Sequence, residues 1–90
     1  MQVKTTSKFE QQLVEILNYY TEIDPKLAAD LLDRIDYAAR HLLQFPSVYA
    51  RTTEPGIRKI ALRRFPYRIR YRVMEEDIHF LTIRHMARME

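Results

Sequence analysis

The hydrophobic period changes once along this chain, and that change limits the folds open to it. Before Pro46 apolar residues recur every three to four positions, the repeat of an amphipathic helix; after Gly56 they alternate, the repeat of a strand with one buried face. Helices and strands that each carry one apolar side bury those sides by packing as layers around a shared core. With 90 residues and one glycine, nearly every position belongs to a regular element or a short connection. The expected unit is a single domain over residues 1–90. Folding at this size buries only about 60–65% of the extended chain's surface, so the core must be compact.

The helical half divides in two. Ser7 to Glu10 has the Ser-x-x-Glu form of a capping box, which predicts a helix starting near Lys8. Phe9, Leu13, Ile16, Leu17 and Tyr20 then fall on one stripe, with Val14 and Tyr19 beside it. Asp24-Pro25 supplies an N-cap and a proline at the first helical position. In the helix that follows, Leu27, Leu31, Ile35, Ala38 and Leu42 form one row, and Ala28, Leu32, Ala39 and Leu43 form a second. That breadth predicts packing against two neighbours. The short link from Thr21 to Asp24 predicts an antiparallel hairpin, and Phe45-Pro46 ends the second helix because the residue before proline avoids helical geometry.

A short strand over Gln2 to Thr5 precedes the hairpin, and three strands follow it. Ile60 and Leu62 alternate with Lys59 and Arg63; Tyr67, Ile69, Tyr71 and Val73 alternate with Arg68, Arg70 and Arg72. Glu75-Glu76-Asp77 makes the next turn. Ile78, Phe80, Leu81 and Ile83 then put apolar residues on both alternating faces, the pattern of a strand interior to a sheet. The fold class is α+β, in the order β-α-α-β-β-β, with the helical hairpin packed on a mainly antiparallel sheet.

If the alternating apolar residues face the helices, the cations between them face away. Arg68, Arg70 and Arg72 then project at intervals of about 6.6–7 Å. Lys59 and Arg63 stand alongside, and Arg84 joins them if Leu81 and Ile83 point to the core. The charge distribution agrees: residues 1–50 carry five basic and seven acidic side chains, whereas residues 51–90 carry ten basic, nine of them arginine, and five acidic. No acid interrupts the run from Arg58 to Arg72. Such a face fits an anionic partner, recognised through the planar guanidinium, or serves as a charged sheet surface that resists aggregation.

Other chemistry is sparse. Without cysteine there is no disulfide framework or thiolate metal site. His79 and His85 have no neighbouring acid at metal-ligand spacing, His41 reads as a helix residue, and neither a phosphate loop nor a nucleophile elbow occurs. No metal or cofactor is expected. The polar start and the absence of any run of about 20 apolar residues predict a cytoplasmic protein with no membrane partner.

Three segments taken together resemble a known family. Gly56-Ile57-Arg58-Lys59-Ile60, Phe65-Pro66-Tyr67-Arg68-Ile69-Arg70-Tyr71-Arg72-Val73 and Ile83-Arg84-His85-Met86-Ala87-Arg88 are similar in order and spacing to the C-terminal half of RelE/ParE-superfamily toxins. Asp33-Arg34-Ile35 and Phe45-Pro46 extend the resemblance across the chain. It implies the toxin of a type II toxin–antitoxin system, neutralised by an acidic antitoxin segment that folds on binding.

Members of that superfamily differ in target. RelE-like toxins cut messenger RNA on the ribosome; ParE-like toxins inhibit DNA gyrase. By resemblance, Arg68, Arg88 and Lys59 match positions the RNA-cutting members use, while Ala61 stands where a second lysine would be. Cleavage through the 2′-hydroxyl needs an acid–base pair, for which His85 is the one candidate here, with no tyrosine following Tyr71. These departures point to the gyrase-directed branch, with the ribosome-dependent nuclease and a non-toxic antitoxin-binding homologue as alternatives. The expected target-facing set is Lys59, Arg63, Arg68, Arg70, Arg72, Arg84 and Arg88. The expected antitoxin-binding set is Leu13, Val14, Leu17, Tyr19 and Tyr20.

Overall fold

The period change predicts where helices give way to strands, and the computed structural model, which describes residues 1–87, follows it. The elements are β1 (Gln2–Thr5), α1 (Ser7–Ile23), α2 (Pro25–Gln44), β2 (Ile57–Ala61), β3 (Tyr67–Val73) and β4 (Asp77–His85). They form one four-stranded sheet in the order β1-β4-β3-β2. Both hairpins are antiparallel, while β1 lies parallel to β4. As expected, β4 is interior. Among the described residues no helix is long and apolar enough to cross a membrane.

The start of α1 differs from the sequence expectation by one residue. Thr6, not Ser7, is the N-cap, accepting a hydrogen bond from the Phe9 amide at 3.1 Å. Tertiary contacts decide between the two hydroxyls. β1 ends at Thr5 opposite Phe80, and Thr6 carries on along β4: its amide donates to the Phe80 carbonyl (3.1 Å) and its hydroxyl to the Leu81 carbonyl (2.9 Å). Gln12 continues the pattern by accepting the Ile83 amide at 2.9 Å. α1 thereby covers groups of β4 that the short first strand leaves behind.

Asp24 alone joins the helices, so the link is shorter than Thr21 to Asp24. Its amide closes α1 on the Tyr20 carbonyl, and its carboxylate caps α2 at the Lys26 amide. The predicted stripe of α1 is the observed one, with Phe9 buried and Leu13, Ile16, Leu17 and Tyr20 packed against the core. On α2 the first row supplies Leu31, Ala38 and Leu42 to the core. In the second row Leu32 and Leu43 remain exposed, because the sheet reaches only one side of this helix.

The two-faced apolar pattern of β4 has a different cause from the one the sequence suggests. Arg70 pairs with Thr82 and Tyr71 with Phe80, so Leu81 is an extra residue in a β-bulge. The bulge shifts the alternation by one, letting Ile78, Phe80 and Ile83 all face the helices. Leu81 does not join them in the core; it is half-buried. Thr82 and Arg84 consequently share the opposite face with Arg70 and Arg68.

The loop before β2 is bound to the sheet. Tyr71 donates its hydroxyl to the Pro46 carbonyl at 3.0 Å, and Arg58 donates to the Tyr49 carbonyl at 2.7 Å. Gly56 takes φ 78°, the left-handed conformation glycine adopts without steric cost, and turns the chain into β2.

Candidate functional site

The sheet face turned away from the helices carries most of the expected cationic set. Register aligns Lys59 with Arg70 and Arg68 with Arg84, while Arg72 stands beside His79, which in turn neighbours Lys4 on β1. Ala61 lies directly beside Arg68. Arg88 lies outside the described residues.

Two members of the set are placed otherwise. β2 ends at Ala61, and Leu62 turns back to donate to the Tyr67 carbonyl at 2.9 Å. Arg63 therefore enters the turn and lines a slot beside α2 instead of joining the face. Arg70 stays on the face but is withdrawn from it: its guanidinium forms an ion pair with Glu54, and its side chain is only 13% exposed. The run without acids holds in sequence, yet the Pro55-Gly56 turn delivers a carboxylate to its centre. Arg72, by contrast, is exposed. Thr82, also on this face, is buried, and its hydroxyl has no hydrogen-bond partner among the described residues.

His85 leaves β4 on the opposite side from Arg68. It pairs with Tyr67, and their rings meet edge to face at 5.5 Å. Tyr67 packs toward Tyr20 of α1, so His85 belongs to the helix side of the sheet. Its Nδ1 accepts the Ala87 amide at 3.1 Å, which engages one ring nitrogen in the turn that ends β4. The residues expected for a nuclease thus divide: Lys59 and Arg68 on one face, His85 on the other.

A groove of about 780 Å³ runs between α1 and the end of β4, lined by Gln12, Glu15, Tyr19, Tyr20, Arg84 and His85. Among the residues expected to meet a partner, Val14 and Tyr19 are 55% and 58% exposed. Leu13, Leu17 and Tyr20 pack against the core and offer only part of their surface. Tyr20 connects the two, touching Tyr19 at 5.0 Å and Phe65 at 5.5 Å between ring centroids.

A second aromatic group escaped the sequence reading. Tyr37 stacks on His41 at 6.3 Å, and His41 also contacts Phe45 at 5.2 Å and Tyr49 at 5.6 Å. The signal was present: residues 37, 41 and 45 recur every four positions and so share a face of α2. Among the described residues no group of three or more His, Asp or Glu could hold a metal ion.

The order of strands, the parallel β1 and the packed hairpin can be compared with known proteins. A family model described as the ParE toxin of the type II toxin–antitoxin system parDE matches residues 3–90. The chain belongs to the ParE toxin family. It is a type II toxin by that membership. A solved structure described as the chromosomal ParDE toxin–antitoxin system from P. aeruginosa is similar over 94% of this chain and 95% of its own, with 25% identity and a TM-score of 0.80. No curated protein matches in sequence.

Proposed function

We propose that this ParE-family toxin inhibits DNA gyrase through its cationic sheet face and is neutralised by a cognate antitoxin that folds onto α1. The observation that carries the target assignment is the division of His85 from Lys59 and Arg68. Cutting RNA requires a proton-transfer group and phosphate-binding cations around one scissile bond. Side chains that leave opposite faces of the sheet fit that arrangement poorly, which supports the gyrase reading. An extended face bearing Lys59, Arg72 and Arg84 suits a large anionic or acidic target surface and needs no acid–base pair.

The antitoxin reading rests on Val14 and Tyr19. Both are exposed apolar side chains of α1: Tyr19 lines the groove that also contains Arg84 and His85, and Val14 stands on another side of the helix beside Glu10, Gln11 and Glu15. A segment folding over them would cover the end of the cationic face, joining neutralisation to partner binding.

The experiment measures supercoiling by purified gyrase and the integrity of ribosome-bound message in the presence of the chain. Blocked supercoiling with intact message is expected. Codon-periodic cuts lost in His85→Gln would overturn the gyrase reading in favour of the nuclease.

A further inference from the structure

Arg63 reaches a slot of about 160 Å³ between α2 and β2, floored by the buried side chains of Ile60 and Leu62. The two ends of this slot differ in chemistry. Asp30 of α2 reaches Arg64, just past β2, at 3.6 Å. Further along the helix, His41 contacts Tyr49, whose carbonyl is held by Arg58 near the start of β2. The two walls therefore run in opposite directions, so that Arg34 and Arg63 share one end while His41 and Tyr49 form the other. About two turns of helix, roughly 10 Å, separate Arg34 from His41.

The first end gathers two cations and no acid. Neither Arg34 nor Arg63 enters an ion pair among the described residues, and no acidic residue among them lines the slot. Two acids of α2 are engaged by other arginines, Asp30 by Arg64 and Asp36 by Arg40 at 3.1 Å. Guanidiniums brought to one end repel each other until an anion joins them, and their planar forks suit phosphate. The second end offers rings. Tyr37 and His41 lie nearly parallel, with 8° between their planes and 6.3 Å between centroids, and Tyr37 is 54% exposed. Aromatic faces of this kind stack on any nucleobase.

We propose that the slot binds one nucleotide unit, its base against Tyr37 and His41 and its phosphate between Arg34 and Arg63. Size limits the occupant to one. The volume lies below the about 300–1,000 Å³ of a drug-sized ligand pocket, so a single base enters while the sugar stays at the rim beside the exposed Ala61. A free nucleoside monophosphate and an unpaired nucleotide of a single strand present this same chemistry. A base within a duplex does not, because its faces are already stacked. The site is separate from the α1 groove and from the outward sheet face, and depends on neither the antitoxin nor the gyrase reading.

The test titrates nitrogen-labelled protein with adenosine monophosphate, adenosine, inorganic phosphate and a short single-stranded oligodeoxyadenosine. Adenosine monophosphate is expected to shift the guanidinium signals of Arg34 and Arg63 together with those of Tyr37 and His41. Adenosine and phosphate, each filling one end only, are expected to bind at least about tenfold more weakly. Arg63→Gln removes one cation from an exposed turn, and Tyr37→Ala removes an exposed ring. Each is expected to weaken binding about tenfold or more while the thermal midpoint is retained. With the same residues shifted, tighter binding of the oligonucleotide than of the monophosphate would support the site as one for a nucleic-acid strand, and the reverse order would support a free nucleotide. Phosphate binding as tightly as the monophosphate, shifts confined to Lys59 and Arg72, no shift at millimolar nucleotide, or full binding by both variants would overturn the proposal.

Discussion

Tyr71 shows how one buried side chain ties the core to solution pH. Its ring is fully enclosed, and its hydroxyl donates to the Pro46 carbonyl, securing the segment that leaves α2. Burial pushes its pKa from 10.0 up to about 12, against the opposing pull of the Arg58 charge. The folded state therefore holds this proton at pH values where the unfolded chain has released it. Stability from Tyr71 is fully present below pH 10 and is lost as pH rises toward about 12. Tyr71→Phe is expected to cost about 0.5–1.5 kcal/mol at neutral pH through the lost hydrogen bond. It should also flatten the fall in stability across the alkaline window, as read from denaturant midpoints at a series of pH values.

On β3, three arginines of identical spacing have acquired different roles. Arg70 is enclosed beside Glu54, whereas Arg72 stands exposed near His79. Arg70→Glu sets a second carboxylate against Glu54 and is expected to cost about 1–3 kcal/mol, the range for losing a charged hydrogen bond and leaving its partner unsatisfied. Arg72→Glu should cost under about 0.5 kcal/mol, as surface changes usually do, yet relieve growth inhibition. Thermal melts and growth assays on the two variants read these effects separately. An Arg72→Glu protein that still arrests growth would remove this residue from the target-binding face.

Across the whole molecule, the helical hairpin and the sheet divide the work. Packing one face of the sheet under α1 and α2 leaves the other as the proposed target surface, and the groove beside Tyr19 lies where the two layers meet at the end of β4. Large exposed apolar side chains at such a margin commonly mark an interaction site. Val14→Lys combined with Tyr19→Lys is expected to weaken binding of a cognate antitoxin at least about tenfold in calorimetry. Both side chains are more than half exposed, so the thermal midpoint should scarcely move. Unchanged affinity would transfer the antitoxin contact away from α1.

The order and type of the elements were legible in the sequence because their causes are local. A 3.6-residue stripe, Asp24-Pro25, Phe45-Pro46 and the alternation from Tyr67 to Val73 each act within a few positions of the chain. The cationic face was legible for the same reason, since alternation alone sends Arg68 and Arg72 away from Tyr67 and Tyr71. Choices settled by distant partners were not. Thr6 prevails over Ser7 as the cap because it also reaches Phe80 and Leu81. The bulge at Leu81 resets the phase of β4, and Glu54 reaches Arg70 only after the loop folds back. The separation of His85 from Arg68 and the slot at Ala61 likewise come from register and from the limits of the sheet. Pattern determines which way a side chain faces along its own strand; what stands across from it depends on how the strands and helices meet.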